Sequence, residues 1–139
     1  MSCLMYACLD DLHELVTIDQ QVIGSPTRQD LIEKAIVEER CIICKTQSGI
    51  GGFLIFTTDF FECSFIALVI VKPTERRKGI ATSLLGHFVE LASTTKIFSS
   101  TNQSNTDMQK VFETAGFIKS GFIENLDDGD PEIIYYKLK

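Results

Sequence analysis

The chain has 139 residues, of which 45% are hydrophobic and 23% are charged, a composition typical of one globular domain with its own core. Its net charge of −6 and isoelectric point near 4.8 disfavour non-specific binding to nucleic acid, because the phosphate backbone repels an acidic surface. The first residues lack the basic segment followed by an apolar one that a secretory signal peptide has. No apolar run is long enough to span a bilayer. We therefore expect one domain, residues 1–139, in the cytoplasm, with no membrane or nucleic-acid partner.

Hydrophobic periodicity and turn residues divide the chain into alternating strands and helices. The first half of the chain predicts a strand (Leu4–Cys8), a helix capped by Asp10 or Asp11, and a second helix that opens at the capping-box-like Thr27–Asp30. Three strands follow, Cys41–Thr46, Gly52–Thr58 and Phe61–Val71, the first two joined by a hairpin over 47–51. The second half predicts a helix with an apolar stripe from Ile80 to Ala92, a strand (Lys96–Ser99), a helix from Asn105 to Gly116, and the strands Phe117–Ile123 and Glu132–Leu138. This order, β-α-α-β-β-β-α-β-α-β-β, predicts a mixed sheet with helices against its faces.

Two of the five cysteines, Cys41 and Cys44, have the spacing of a zinc ligand pair. They lie in a predicted strand, where residues three apart point to opposite faces, and no second Cys or His pair accompanies them. An odd number of cysteines in a chain expected to be intracellular also argues against a disulfide framework. We therefore expect buried thiols and no metal.

The most informative segment is the basic turn from Val71 to Ala81, which follows an apolar strand and opens a helix. A helix N-terminus carries unpaired N–H donors and about half a positive charge. Gly79 lets a ligand approach the backbone closely, and the neighbouring cations favour an anion. The spacing matches neither a P-loop nor a dinucleotide fingerprint. The segment predicts a seat for phosphate groups.

The same turn resembles a known signature. Arg76-x-x-Gly79-x-Ala81 is similar to the (Arg/Gln)-x-x-Gly-x-(Gly/Ala) motif of the GCN5-related N-acetyltransferase (GNAT) family, and the lead-in Val71-x-Pro73 and the order of elements also resemble that family. The resemblance implies a single-domain acyl-CoA N-acyltransferase fold of the α/β (α+β) class, with a mixed, mostly antiparallel seven-stranded sheet flanked by about four helices. It also implies acetyl-CoA as the co-substrate and direct attack by a primary amine.

The resemblance further implies which residues contact acetyl-CoA. Backbone groups at the end of the central strand would pair with the pantetheine arm, loop amides would bind the pyrophosphate, and an Asn at the next helix start would add a contact. In this sequence these positions are Val69, Ile70, Val71, Arg76, Arg77, Lys78, Gly79, Ile80, Ala81, Thr82 and Asn105. Asn105 also suits an N-cap, and the two roles are compatible.

The catalytic positions implied by the resemblance hold unsuitable residues. Phe112 stands where many members have a proton-donating Tyr, and Ser100 and Phe65 stand where members have a Glu. Glu62, expected on the central strand, is the candidate base, although a solvent-facing carboxylate at a strand end is the more common explanation of such a residue.

Other features leave alternatives open. Tyr135 and Tyr136 are candidate acids or sheet-packing aromatics, and one must point away from the other. The acidic segment 124–132 would attract a cationic amine or simply form a turn. The expected partner is a small-molecule or peptide amine, and a homodimer stays open. The alternative function is a coenzyme-A-binding sensor or degenerate module without catalysis.

Overall fold

The computed structural model describes residues 3–139, which form a seven-stranded sheet with helices on both faces. The strands are β1 (Cys3–Tyr6), β2 (Cys41–Thr46), β3 (Gly49–Phe60), β4 (Cys63–Val71), β5 (Lys96–Asn102), β6 (Ile118–Ile123) and β7 (Glu132–Leu138). The helices are α1 (Leu12–Ile23), α2 (Gln29–Val37), α3 (Ile80–Leu91) and α4 (Thr106–Thr114), with short 3₁₀ turns at Leu9–Asp11 and Pro73–Glu75. The element order and the fold class predicted from the sequence are confirmed.

The sheet has the strand order β1-β2-β3-β4-β5-β7-β6, and every neighbouring pair is antiparallel except β4 and β5. Helices α3 and α4 bury one face around Leu84, Phe88 and Phe112. Helices α1 and α2 cover the other face around Leu15 and Ile32, packing on β2, β3 and β4. Burial of these apolar side chains is the main driving force for the layered arrangement.

Several predicted boundaries are wrong for local reasons. The strand predicted at Leu4–Cys8 ends at Tyr6, because the Cys8 N–H donates to the Asp11 carboxylate at 2.9 Å instead of to a neighbouring strand. The hairpin predicted over 47–51 is a two-residue turn, since β2 and β3 pair as far as Thr46 with Gly49.

Neither predicted cap in the first half of the chain forms. Asp11 occupies the N-cap position of α1 without a side-chain capping bond. Helix α2 begins after Arg28, again without a side-chain cap, so the capping box at Thr27–Asp30 is wrong. The Arg28 guanidinium instead pairs with the buried carboxylate of Asp19, and this ion pair fixes the connection between the two helices.

The turn between β3 and β4 corrects the placement of Glu62. Phe60 pairs with Cys63, which leaves Phe61 and Glu62 as a two-residue turn with φ of 50° and 65°. Two left-handed residues match the twist of the flanking antiparallel strands. Glu62 is therefore in a turn and not on the central strand.

Candidate active site

The central parallel strands separate partway along their length. β4 and β5 pair only between Ser64–Ile66 and Ile97–Ser99, although β4 continues to Val71 and β5 to Asn102. Beyond the paired segment the facing strand edges have unpaired backbone N–H and C=O groups, which can pair with an extended ligand.

A β-bulge lies at the point of separation on β4. Ala67, between the paired residues Ile66 and Leu68, has no partner on β3. An extra residue of this kind bends its strand, and such bulges are frequent beside functional sites. On β5, the Ser99 hydroxyl donates to the Ile66 carbonyl at 2.8 Å. The gap therefore begins at a position fixed by both strands.

The loop between β4 and α3 has the backbone geometry of an anion-binding turn. Arg77 and Gly79 are both left-handed, with φ of 64° and 79°, a conformation that costs a non-glycine residue about 1–2 kcal/mol and collects at functional sites. Among the described residues, no group accepts a hydrogen bond from the backbone N–H groups of residues 76–82. No atom lies within 4 Å of the position of a Cβ on Gly79. The free donors thus face open space at the positive end of a 12-residue helix.

Two consecutive glycines of β3 hold the start of α3 against the sheet. A Cβ on Gly52 would lie 2.8 Å from the Ile70 carbonyl oxygen and 3.0 Å from Cγ2 of Ile80. A Cβ on Gly51 would lie 2.8 Å from Cδ1 of Ile80. Because glycine has no side chain, Ile80 packs directly on the strand backbone, and the loop before it is fixed.

Glu75 ties this loop to the β2–β3 turn. Its carboxylate accepts hydrogen bonds from Lys78 Nζ at 2.9 Å and from Ser48 Oγ at 3.0 Å. These hydrogen bonds, with that from Lys78 the stronger influence, hold the pKa of Glu75 below its usual range. Lys78 is thereby turned toward Glu75, whereas Arg76 and Arg77 have no ion pair within residues 3–139.

Helix α4 lies on the same face of the sheet as α3, and its residues have clear structural roles. Asn105 is the N-cap, since its side chain accepts a hydrogen bond from the Met108 N–H at 3.1 Å. Phe112 is buried and stacks on Tyr135, with ring centroids 4.7 Å apart. Burial raises the pKa of Tyr135. Within the described chain, its hydroxyl is the buried side-chain polar atom that has no hydrogen-bond partner.

Of the residues expected to contact acetyl-CoA, 69–71 form the end of β4 that is not paired with β5, 76–82 form the loop and the first turn of α3, and Asn105 precedes α4. Val69 and Val71 belong to the cluster under α3, whereas the Ile70 side chain packs under α1 and leaves only its backbone at the gap. Glu62 lies at the other end of β4, four residues before Ile66, which is about 13 Å of strand. The structure therefore brings Glu62 near neither the gap nor the loop, and its catalytic role stays a prediction.

The opposite face of β5 and β7 has polar and aromatic side chains. Ser100 Oγ donates to Glu132 Oε2 at 2.7 Å. Phe65, Phe98 and Tyr136 are aligned across β4, β5 and β7, and the rings of Phe98 and Tyr136 are 5.4 Å apart. Tyr136 thus packs on this face, and Tyr135 packs under α4.

The acidic segment before β7 is pinned to the end of β5. Asn102 Nδ2 donates to the Asp127 carboxylate at 2.9 Å, and the Ser104 hydroxyl donates to Asp130 Oδ2 at 2.6 Å. These bonds support the turn interpretation for Asp127 and Asp130.

The thiols of the predicted zinc-like pair are buried on opposite faces of β2, with Cys41 in the cluster under α1 and Cys44 in that under α3. Burial raises the pKa of Cys41 to about 12, so this thiol stays protonated. No group of three or more Cys, His, Asp or Glu side chains in residues 3–139 is arranged to hold a metal ion.

Sequence reasoning missed the close approach at Gly51 and Gly52, the bulge at Ala67, the Ser99 hydrogen bond, the role of Glu75 and the position of Glu132. A sequence signal existed only for the glycine pair, since consecutive glycines within a strand indicate a close backbone approach. The others depend on strand register or on contacts between distant loops, which no local pattern specifies.

The fold and the split strands define the class of acyl-CoA N-acyltransferases. The sequence model of the acetyltransferase (GNAT) family matches residues 9–117, and the chain belongs to this family. A comparison with curated proteins finds no match.

Solved structures agree with this assignment. An acetyltransferase of the GNAT family from Bacillus cereus ATCC 10987 is 52% identical, with a TM-score of 0.97 over 100% of this chain and 98% of that chain. The ribosomal-protein-S18-alanine N-acetyltransferase from Escherichia coli is 18% identical, with a TM-score of 0.85 over 99% and 94%. A protein from Bacillus anthracis str. Ames, described as a streptothricin acetyltransferase and solved in complex with acetyl coenzyme A, is 21% identical, with a TM-score of 0.66 over 71% and 61%. The last two likenesses show the fold alone.

In the described residues, no helix combines the length and apolar character needed to cross a membrane.

Proposed function

We propose that the chain is an N-acetyltransferase that moves an acetyl group from acetyl-CoA to a primary amine of a small molecule or peptide. The observation that carries the proposal is the run of free backbone N–H groups at residues 76–82, placed beside the gap between β4 and β5. The free N–H groups are suited to a pyrophosphate, and the gap between the strands is suited to the extended pantetheine arm. Together they fit a coenzyme A thioester better than a simple anion.

The residues present fit such a donor. The loop amides, with Arg76 and Arg77, would hold the phosphates, and the free edge of β4 at Val69 to Val71 would pair with the amide groups of the pantetheine arm. Acetyl-CoA supplies the activated thioester when bound. The protein contributes position, since aligning an amine with a thioester carbon provides much of the rate without a covalent enzyme intermediate.

The acceptor is proposed only at the level of its chemistry. The net charge of −6 favours an amine that arrives as a cation. The E. coli neighbour is described as acting on an alanine of a ribosomal protein, and the B. anthracis neighbour is described as acting on streptothricin. Both peptides and small molecules therefore belong in a substrate panel. We also propose a cytoplasmic location. A homodimer is compatible with the proposed function, as is a monomer.

A thermal-shift titration with acetyl-CoA tests the donor site. Saturation at a hundred times the dissociation constant would stabilise the fold by about 2.7 kcal/mol. Gly79→Glu places bulk and negative charge at the loop and should abolish the shift. Gly86→Glu is the matched control, because Gly86 is exposed in α3 with nothing within 4 Å of its Cβ position. An unchanged shift in Gly79→Glu would contradict the placement of the donor.

A second function, a coenzyme-A-binding module without catalysis, is favoured by one observation. Phe112, which has no proton to donate, is locked in a buried stack with Tyr135. A thiol-release assay with phenethylamine, spermidine and a short peptide with a free N-terminus separates the two. Acetyl-CoA binding without release of coenzyme A to any amine would favour the binding module.

A further inference from the structure

A carboxylate lies beside the gap on the face opposite α3. Glu132, the first residue of β7, accepts a hydrogen bond from Ser100 Oγ at 2.7 Å. Ser100 is the first residue of β5 beyond the paired segment, so the carboxylate is next to the point where the strands part. Resting on the proposed function, we propose that Glu132 is the general base that accepts the proton of the attacking amine, and that Ser100 is its positioning residue.

Strand alternation separates the two sides of the site. Ser99 and Tyr135 are directly opposite each other, and Tyr135 packs in the cluster under α3 and α4. Ser100 and Glu132 are therefore on the other face. The phosphate-binding loop precedes α3, so the donor reaches the gap from the first face. The amine is left with the second face, where Glu132 lies.

Competing carboxylates are less well placed. The Glu132 backbone is paired with Asn102, and its carboxylate reaches back along β5 to Ser100, whereas the Asp127 carboxylate is bonded to Asn102 itself, two residues beyond Ser100. Asn102 also donates to the backbone carbonyl of Asp130 at 3.3 Å. These two hydrogen bonds from Asn102 fix the loop that contains both aspartates. Glu132 is paired with Asn102 on β5 and with Ile123 on β6. The titratable residues next to these positions are Glu124, which follows Ile123, Asp130 before β7, and Asp127, which is bonded to Asn102.

The amine nitrogen forms a bond to the thioester carbonyl carbon, and the carbon–sulfur bond breaks. The proton leaving nitrogen passes to the Glu132 carboxylate, directly or through one water. The departing thiolate takes this proton from Glu132, or takes one from solvent while Glu132 releases its own to solvent. An amine that arrives as ammonium first loses a proton to solvent. The products are an amide and free coenzyme A, and the carboxylate is regenerated.

The test uses Glu132→Gln in the full chain with the fastest amine of the panel. General-base removal lowers kcat/KM for the amine by about 10²–10⁴-fold, and the acidic limb that arises from Glu132 disappears, leaving only the limb set by ionisation of the amine itself. Asp127→Asn, the same acid-to-amide change on the neighbouring carboxylate, should keep the limb that arises from Glu132. Both variants should retain the thermal shift with acetyl-CoA, which separates failure of the base from failure of the donor site.

A second measurement tests the positioning role of Ser100. Ser100→Ala removes the hydrogen bond to Glu132 Oε2 and should lower kcat for the amine while the thermal shift with acetyl-CoA is retained. Ser100→Thr keeps a hydroxyl and should restore turnover.

Two results would overturn the assignment of Glu132: an acidic limb in Glu132→Gln beyond that of the amine itself, or acetyl-CoA binding with no turnover of any amine. Unchanged turnover in Ser100→Ala would overturn the positioning role. A purely structural Ser100–Glu132 bond would lower stability in the variants and leave the pH profile unchanged.

Discussion

Replacing Tyr135 by Phe should stabilise the protein. The Tyr135 ring is fully buried, and its hydroxyl has no partner within the described residues. Burying an unsatisfied hydroxyl costs about 1–3 kcal/mol relative to water. Phe keeps the ring and its stack on Phe112, with centroids 4.7 Å and planes 22° apart, so only the unfavourable contribution is removed. For a chain of this size, 1 kcal/mol corresponds to roughly 3 °C in Tm.

The assay is urea unfolding of Tyr135→Phe beside Tyr136→Phe. Tyr136 is the adjacent residue on the opposite face and is half-buried, and its hydroxyl is not a buried group without a hydrogen-bond partner. Removal of the Tyr136 hydroxyl should therefore change the unfolding free energy by less than about 0.5 kcal/mol. A destabilisation of Tyr135→Phe by 1 kcal/mol or more would refute the reasoning, since the hydroxyl would then have a partner such as a bound water. A more stable variant with slower coenzyme A release would indicate that the hydroxyl is retained for the reaction.

Three further predictions concern the donor site. Gly52→Ala should cost about 1–3 kcal/mol in unfolding free energy and weaken acetyl-CoA binding, because the new Cβ meets a backbone carbonyl at 2.8 Å; Gly51→Ala, which meets side-chain ends that can move, should cost less. Asn105→Ala should lose about 0.5–2 kcal/mol as a missing N-cap, and an unchanged affinity for acetyl-CoA would show that capping is its whole role. Glu75 has a lowered folded pKa, so its stabilisation is complete above the ordinary value of 4.5 and is lost as pH falls through the folded value; the stability gap between wild type and Glu75→Gln, measured by urea titration from pH 7 to 3, should close with acidification.

Local signals were sufficient where one element contains the whole pattern. The apolar stripe of α3 predicted the buried residues Ile80, Leu84, Leu85 and Phe88, because helical spacing alone decides which side faces the core. Asn105 was identified as an N-cap for the same reason, since the cap and the N–H that it binds are three residues apart. Glu132–Leu138 was predicted with its observed bounds.

Non-local pairing explains the failures. Glu62 was placed on the central strand because that strand was predicted to begin at Phe61, but the start of β4 is set by the pairing of Phe60 with Cys63. The expected capping box at Thr27–Asp30 was overridden by the ion pair of Arg28 with Asp19, nine positions away. The Ser100–Glu132 bond joins residues 32 apart, and no local pattern announces it.

The register of β7 connects the two sides of the site. Glu132 and Tyr135 are three residues apart on one strand and therefore lie on opposite faces. One has a carboxylate bonded beside the gap, and the other has an unpaired hydroxyl under α4. A slip of one residue against β5 would exchange the faces and would bury the carboxylate under α4, where a charge without a partner costs several kcal/mol. The pairing of Ser99 with Tyr135 is therefore held by this cost as well as by the apolar core, and it places the proposed base on the side that the donor leaves free.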